Sequence, residues 1–302
     1  MSTYYLYLFI AGTVGGFLSG LLGIGGGIIY ILVIPTVLLH FGTPHSEIVQ
    51  YTIANSIFAA FFASLAANIV LVKRKSFYLK ESLFVGLAGA FSAILFLQFI
   101  VNTGWYSRQI FNIVVVLLLI FMLFRFFQKF YFLPKASHYG VKKAASVLKT
   151  AKDLQENTDK KKLTLAGLAG GALSALSGLG GGIIIIPILN TIMHIDIKKT
   201  NAISLGVITI ISLMMTAFNM LETPHTTHLP AEALAQAGQS LFINQYSVGY
   251  IIFPVALSLA LGAVIASPFG VTVSKKVSSK TIYVIFSFFL IVVIDKKLME
   301  IF

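Results

Sequence analysis

Two glycine runs hold the residues best placed for chemistry: Gly23-Ile24-Gly25-Gly26-Gly27 and Gly178-Leu179-Gly180-Gly181-Gly182. Three successive glycines remove side chains and free φ, so a helix can unwind there, turn, and restart with bare backbone N–H groups at its new end. Such an end attracts anions. The helix dipole and unpaired donors favour a carboxylate, sulfonate or phosphate without any buried Arg or Lys. The expected backbone donors are Gly25, Gly26 and Gly27 in the first run and Gly180, Gly181 and Gly182 in the second. Ser19, Asn55 and Ser56 in the first half, with Ser174 and Ser204 in the second, are the candidate side-chain donors. Hydroxyls and amides can hold an oxyanion and still release it, since none carries a full charge. Ser64, Asn68, Ser177, Thr209, Ser212 and Asn219 extend this polar set, and Ser, Thr and Asn within apolar helices also serve to join one helix to another.

Other chemistries lack their parts. Neither run leads into Gly-Lys-Ser/Thr, and the first fails G-x-G-x-x-G at its last position. No Gly-x-Ser-x-Gly serine is found and no His lies mid-span as a base, so an enzyme is not expected. There is no Cys, which removes thiolate metal sites and cysteine nucleophiles. Glu222, His225, His228 and Glu232 form a metal-like grouping, but two His three apart in a Pro-containing loop rarely bind zinc; no metal and no cofactor is expected.

The elements that must position the glycines are membrane helices. Of 302 residues 57% are hydrophobic and 11% charged, with a mean hydropathy of +0.91, beyond what a soluble fold of this length carries. The formal charge of +12 therefore belongs to loops, and nucleic acid is excluded as a partner. A bilayer core needs ~20 apolar residues per helix. Six segments fit as simple spans: 48–72, 82–102, 109–132, 200–221, 247–271 and 281–294, the last short. Two more, 4–41 and 163–194, read as helix pairs broken at the glycines.

The broken segments are copies of one another. Shifting Ala11–Ile29 by 155 residues onto Ala166–Ile184 gives 13 identities in 19 positions, and three simple spans follow each copy. The predicted organisation is a first repeat over 1–132, a basic linker over 133–162 with the spacing of an amphipathic helix, and a second repeat over 163–302. Each broken pair returns the chain to its starting side and three spans then cross it, so the second repeat is inverted relative to the first. The fold class is all-α: a polytopic membrane protein of two inverted repeats. With the linker cytoplasmic, 19 of the 22 basic residues fall inside and only Arg108, Lys296 and Lys297 outside. Reading each broken segment as one span moves Lys198, Lys199, Lys275, Lys276 and Lys280 outside and Lys296 and Lys297 inside, giving 16 against 6. The inverted arrangement places both termini outside, in a cell (inner) membrane. Gly12/Gly16/Gly20 and Gly167/Gly171/Ala175 read as helix-packing faces.

At these motifs the chain resembles the sulfite exporter TauE/SafE family. The likeness rests on Gly12–Pro35, with Leu22-Gly23-Ile24-Gly25-Gly26-Gly27, and on Gly167–Pro187, with Ser177-Gly178-Leu179-Gly180-Gly181-Gly182 running into Ile183–Pro187. The plan of two halves around a basic linker is also similar. One departure concerns proline: the family places it five residues past the last glycine, as at Pro187, whereas the first repeat has Leu32 there and Pro35 beyond, so the first half is expected to unwind differently. The resemblance implies a transporter, and an exporter, of a small anionic substrate such as sulfite or an organosulfonate. An anion leaving a negative interior gains about 2.3 kcal/mol per charge per 100 mV and needs no proton relay. A passive anion channel or a non-transporting membrane scaffold are the competing readings. The lipid bilayer is the other expected partner, and a homodimer is compatible with the sequence.

Overall fold

The computed structural model describes residues 2–43, 45–103, 105–132, 160–193, 195–224 and 245–299. The described chain is helical apart from one two-stranded hairpin. In the first half, α1 (Ser2–Leu22) and α2 (Gly27–His40) are the arms of the broken pair, followed by α3 (Ile48–Lys73), α4 (Leu79–Thr103) and α5 (Arg108–Phe132). In the second, α6 (Lys160–Ser177) and the six-residue α7 (Gly182–Pro187) are the arms. A π-helical turn over Ile188–Ile192, α8 (Ile197–Leu221), strands β1 (Ser247–Val248) and β2 (Ile251–Ile252), α9 (Phe253–Lys276) and α10 (Ser279–Met299) complete it. The amphipathic linker predicted over 133–162 lies outside the described residues up to 159, and Lys160–Lys162 open α6. His225, His228 and Glu232 also lie outside them, and no metal-like cluster occurs among the described residues.

Five helices, α1, α3, α4, α8 and α9, are long and apolar enough to cross a membrane. The first broken pair folds back on itself: the Tyr4 ring stacks on His40 at 4.2 Å, so the far ends of α1 and α2 meet. The sequence-predicted span 247–271 is shifted, because Gly249 at φ +58° turns a hairpin before Pro254 opens α9. The last predicted span lies within α10, a 21-residue helix that is not among those five. Its Lys297 is fully buried, donates to Oδ1 of Asn112 at 3.2 Å and lies 5.7 Å from the Phe111 ring centre. That lysine ties α10 to α5 and is not a free loop charge.

The halves interleave. Side-chain-free positions allow backbones to approach closely, which is how apolar helices gain packing energy in lipid. Methyl groups placed on Gly12, Gly16 and Gly20 would fall on the α9 backbone at Leu259, Ala263 and Ser267, a partner register that also steps by four. Gly167 and Gly171 meet the α4 backbone at Val85 and Gly89 in the same way. The arm α1 thus packs on the second half and α6 on the first. Between them α3 and α8 run side by side, joined by Asn68 Nδ2 donating to Leu205 O (3.1 Å) and Thr209 Oγ1 (2.8 Å), and by Thr209 Oγ1 donating to Ser64 Oγ (2.8 Å).

Candidate anion site at the paired helix breaks

Each break is built from glycines in the left-handed region. Gly23, Gly25 and Gly26 have φ of 75°, 82° and 72°, and Gly178, Gly180 and Gly181 have 67°, 76° and 77°. An L side chain there costs ~1–2 kcal/mol per residue, so six such positions explain why both runs are glycine. The turns close identically: Gly23 N–H donates to Ser19 O and Gly178 N–H to Ser174 O, both at 2.8 Å. Among the described residues, the N–H groups of Gly25, Gly26, Gly27, Gly180, Gly181 and Gly182 donate to no backbone oxygen.

The two breaks meet. A Cβ on Gly27 would stand 2.7 Å from Leu179 Cα, and one on Gly182 2.7 Å from Gly23 O. Ile208, midway along α8, wedges between them, its Cγ2 lying 3.2 Å from a Cβ on Gly25 and 3.3 Å from one on Gly180. Two serines cross the junction reciprocally: Ser56 of α3 donates to Gly178 O (2.8 Å) and Ser204 of α8 to Gly23 O (2.7 Å). All six candidate glycines are buried.

The remaining candidates differ in how free they are. Asn55 is fully engaged: its amide nitrogen donates to Tyr51 O (2.7 Å) and Tyr250 O (3.1 Å), and its oxygen accepts from Ile252 N–H (3.0 Å), which pins the hairpin. Ser174 donates to Met215 Sδ at 3.4 Å. Ser19, fully buried, has no hydrogen-bond partner for its hydroxyl. Sequence reasoning missed Tyr30. Its side chain is also fully buried with an unpartnered hydroxyl, 2.8 Å from where a Cβ on Gly26 would stand. The signal was available: in the 155-residue shift Tyr30 falls opposite Ile185, a polar group where the copy is wholly apolar.

The helices after the two breaks are unequal, and the proline difference explains it. Pro187 cannot donate a backbone hydrogen bond, and the chain widens at once into the π turn, with Met193 N–H donating to Ile188 O at 3.2 Å. In the first half, Leu32 occupies that place and α2 runs 14 residues through Pro35. The first half keeps the longer helix.

One cavity approaches the breaks from the side where α3 and α9 end and α8 begins. It holds about 390 Å³ and has Lys198, Lys199 and Lys275 with Ser76 and Tyr78 at its mouth and Gly20, Asn201 and Leu205 at its floor. None of the eleven residues predicted to bind the anion lines it. Its floor nevertheless touches the first break, for Asn201 Cα lies 2.9 Å from where a Cβ on Gly23 would be. Lys275 Nζ donates to Ser76 Oγ (2.7 Å), Lys198 Nζ to Lys275 O (3.1 Å) and Arg74 to Thr272 Oγ1 (2.9 Å). Lys199 pairs with Glu81 at 3.7 Å. The basic segments 73–80, 198–199 and 272–276 therefore share one face. At the other end of α3, Tyr250 is fully buried, packs edge-on to Tyr51 (5.2 Å) and accepts Asn55, while Asn219 O accepts Tyr250 N–H at 2.9 Å. That end is closed.

A multi-pass helical membrane protein whose two broken helices abut at its centre, beneath a cationic cavity, has the build of a membrane transporter. The chain matches the sulfite exporter TauE/SafE family over residues 8–295, and it belongs to that family. It is also 27% identical over 285 residues to a protein of Methanocaldococcus jannaschii described as a probable membrane transporter, covering 93% of this chain and 90% of the relative. No solved structure matches the chain.

Proposed function

We propose that the protein carries a small sulfur-containing oxyanion, such as sulfite or an organosulfonate, across the membrane by alternating access, with the anion bound at the glycine breaks. The observation that carries this reading is the junction itself: two glycine runs with undonated N–H groups, held together by Ser56–Gly178 and Ser204–Gly23. The dipole of α2 points its positive end there. Family membership supports the sulfur anion and export as the direction.

The lysine cavity is the route of access to the breaks on one side, and the Tyr250 hairpin is the gate on the other. Opening the other way requires the junction to part, and the reciprocal serine bonds are the contacts that would exchange. The antiparallel run of α3 and α8, one ending and the other beginning at the basic face, supports inverted repeats. The basic face is then cytoplasmic, the side to which the inverted reading of the sequence assigns 19 of 22 basic residues.

The test is flux of labelled sulfite, sulfoacetate, taurine and thiosulfate in proteoliposomes under an imposed potential. Saturable flux of at least one is expected. Rates no higher than empty vesicles for all four would sink the reading, and flux that never saturates would favour the passive channel.

A further inference from the structure

We infer that the anion site is asymmetric, resting on the first break alone, with the hydroxyls of Tyr30 and Ser19 as its side-chain donors. This inference rests on the transport reading above and names the residues that recognise the oxyanion. Tyr30 is the fourth residue of α2, and helical side chains lean back towards the N-terminus, so its ring lies along Gly15 and its hydroxyl reaches the start of its own helix. A Cβ on Gly26 would stand 2.8 Å from that oxygen, and one on Gly15 3.0 Å from it. Ser19 is one turn on from Gly15, on the same face of α1. Both side chains are fully buried and both hydroxyls lack a hydrogen-bond partner.

A buried hydroxyl without a partner is costly, and native folds retain such groups where something else completes them. An oxyanion at the mouth of α2 would do so, accepting from Tyr30, Ser19 and the free N–H groups of Gly25–Gly27 together. The second break cannot offer the same. Ile185 stands where Tyr30 would be, with its Cγ1 2.7 Å from a Cβ on Gly170, just as the Tyr30 ring meets Gly15. Ser174, the counterpart of Ser19, already donates to Met215 Sδ. Its helix α7 is six residues long before the π turn, too short to present a strong dipole. The halves divide the work: the first binds and the second packs against it.

The experiment measures sulfite and sulfoacetate affinity, and thermal stability without ligand, for purified wild type, Tyr30→Phe, Ser19→Ala and Tyr106→Phe. Tyr106 is the contrast, since its buried hydroxyl donates to Leu176 O at 2.5 Å. Tyr30→Phe should bind tenfold to about a hundredfold more weakly, the loss of one hydrogen bond to a charged group, while its ligand-free melting temperature stays equal or rises. Ser19→Ala should behave alike. Tyr106→Phe should do the reverse, melting earlier with affinity unchanged. Wild-type affinity in both Tyr30→Phe and Ser19→Ala, or a melting temperature that falls in Tyr30→Phe as it does in Tyr106→Phe, overturns the assignment and leaves the transport reading standing. Absence of any anion binding by wild type overturns both.

Discussion

The hydroxyl of Ser204 donates to the carbonyl of Gly23 at 2.7 Å, across 181 residues of sequence. With its counterpart from Ser56 to Gly178, it makes each glycine break a shared property of both halves. Neither break could move alone.

Removing either hydroxyl leaves a buried carbonyl without its donor, which costs about 1–3 kcal/mol. Ser204→Ala and Ser56→Ala are each expected to lower thermal stability in detergent by that amount and to change the rate of transport more than the affinity. Thermal melts combined with flux assays check it. Wild-type stability and rate in both would show that these bonds do not hold the junction.

The helix-packing glycines act through sterics rather than chemistry. A methyl on Gly171 would fall on the Gly89 carbonyl, and one on Gly20 on the Ser267 carbonyl. Gly171→Ala and Gly20→Ala are expected to destabilise by roughly 2 kcal/mol or more, since backbone cannot give way as a side-chain tip can. Size-exclusion profiles after graded heating measure this.

Much of this fold was legible because its signals are local. Glycine runs end α1 at Leu22 and α6 at Ser177 and begin the next helices at Gly27 and Gly182, the helix breaks read from the sequence. Asn55 was legible as a buried amide but not in its role, because its partners Tyr250 and Ile252 lie almost 200 residues away. The hairpin was hidden inside an apolar run whose only local mark is Gly249. The lysine cavity gathers three segments distant in sequence, so no window along the chain contains it. Tyr30 was passed over because a tyrosine among isoleucines reads as core until its hydroxyl is seen to lack a partner.

The lysines of the cavity mouth should raise the local anion concentration without touching the anion at the breaks. Lys198→Gln with Lys275→Gln is expected to raise KM about threefold to tenfold while turnover changes little. Because Lys198 and Lys275 are exposed, the difference from wild type should shrink as salt rises from about 0.01 to about 0.5 M. Initial-rate flux at several ionic strengths reads both effects.

Asn55 holds the closed end. Asn55→Ala removes two bonds to the hairpin, so the amides of 247–252 are expected to exchange with solvent roughly thirtyfold faster, at about 1 kcal/mol per bond lost. Hydrogen exchange by mass spectrometry resolves that segment. Unchanged exchange would mean that Asn55 does not secure it.

The central claim is the position of the anion, and the most direct measurement is a crystal structure with selenite, the selenium counterpart of sulfite, located by anomalous scattering. The account predicts one peak at the start of α2, within hydrogen-bond reach of the Gly26 backbone and the Tyr30 hydroxyl. A peak found solely among Lys198, Lys199 and Lys275, with none at the break, would contradict it.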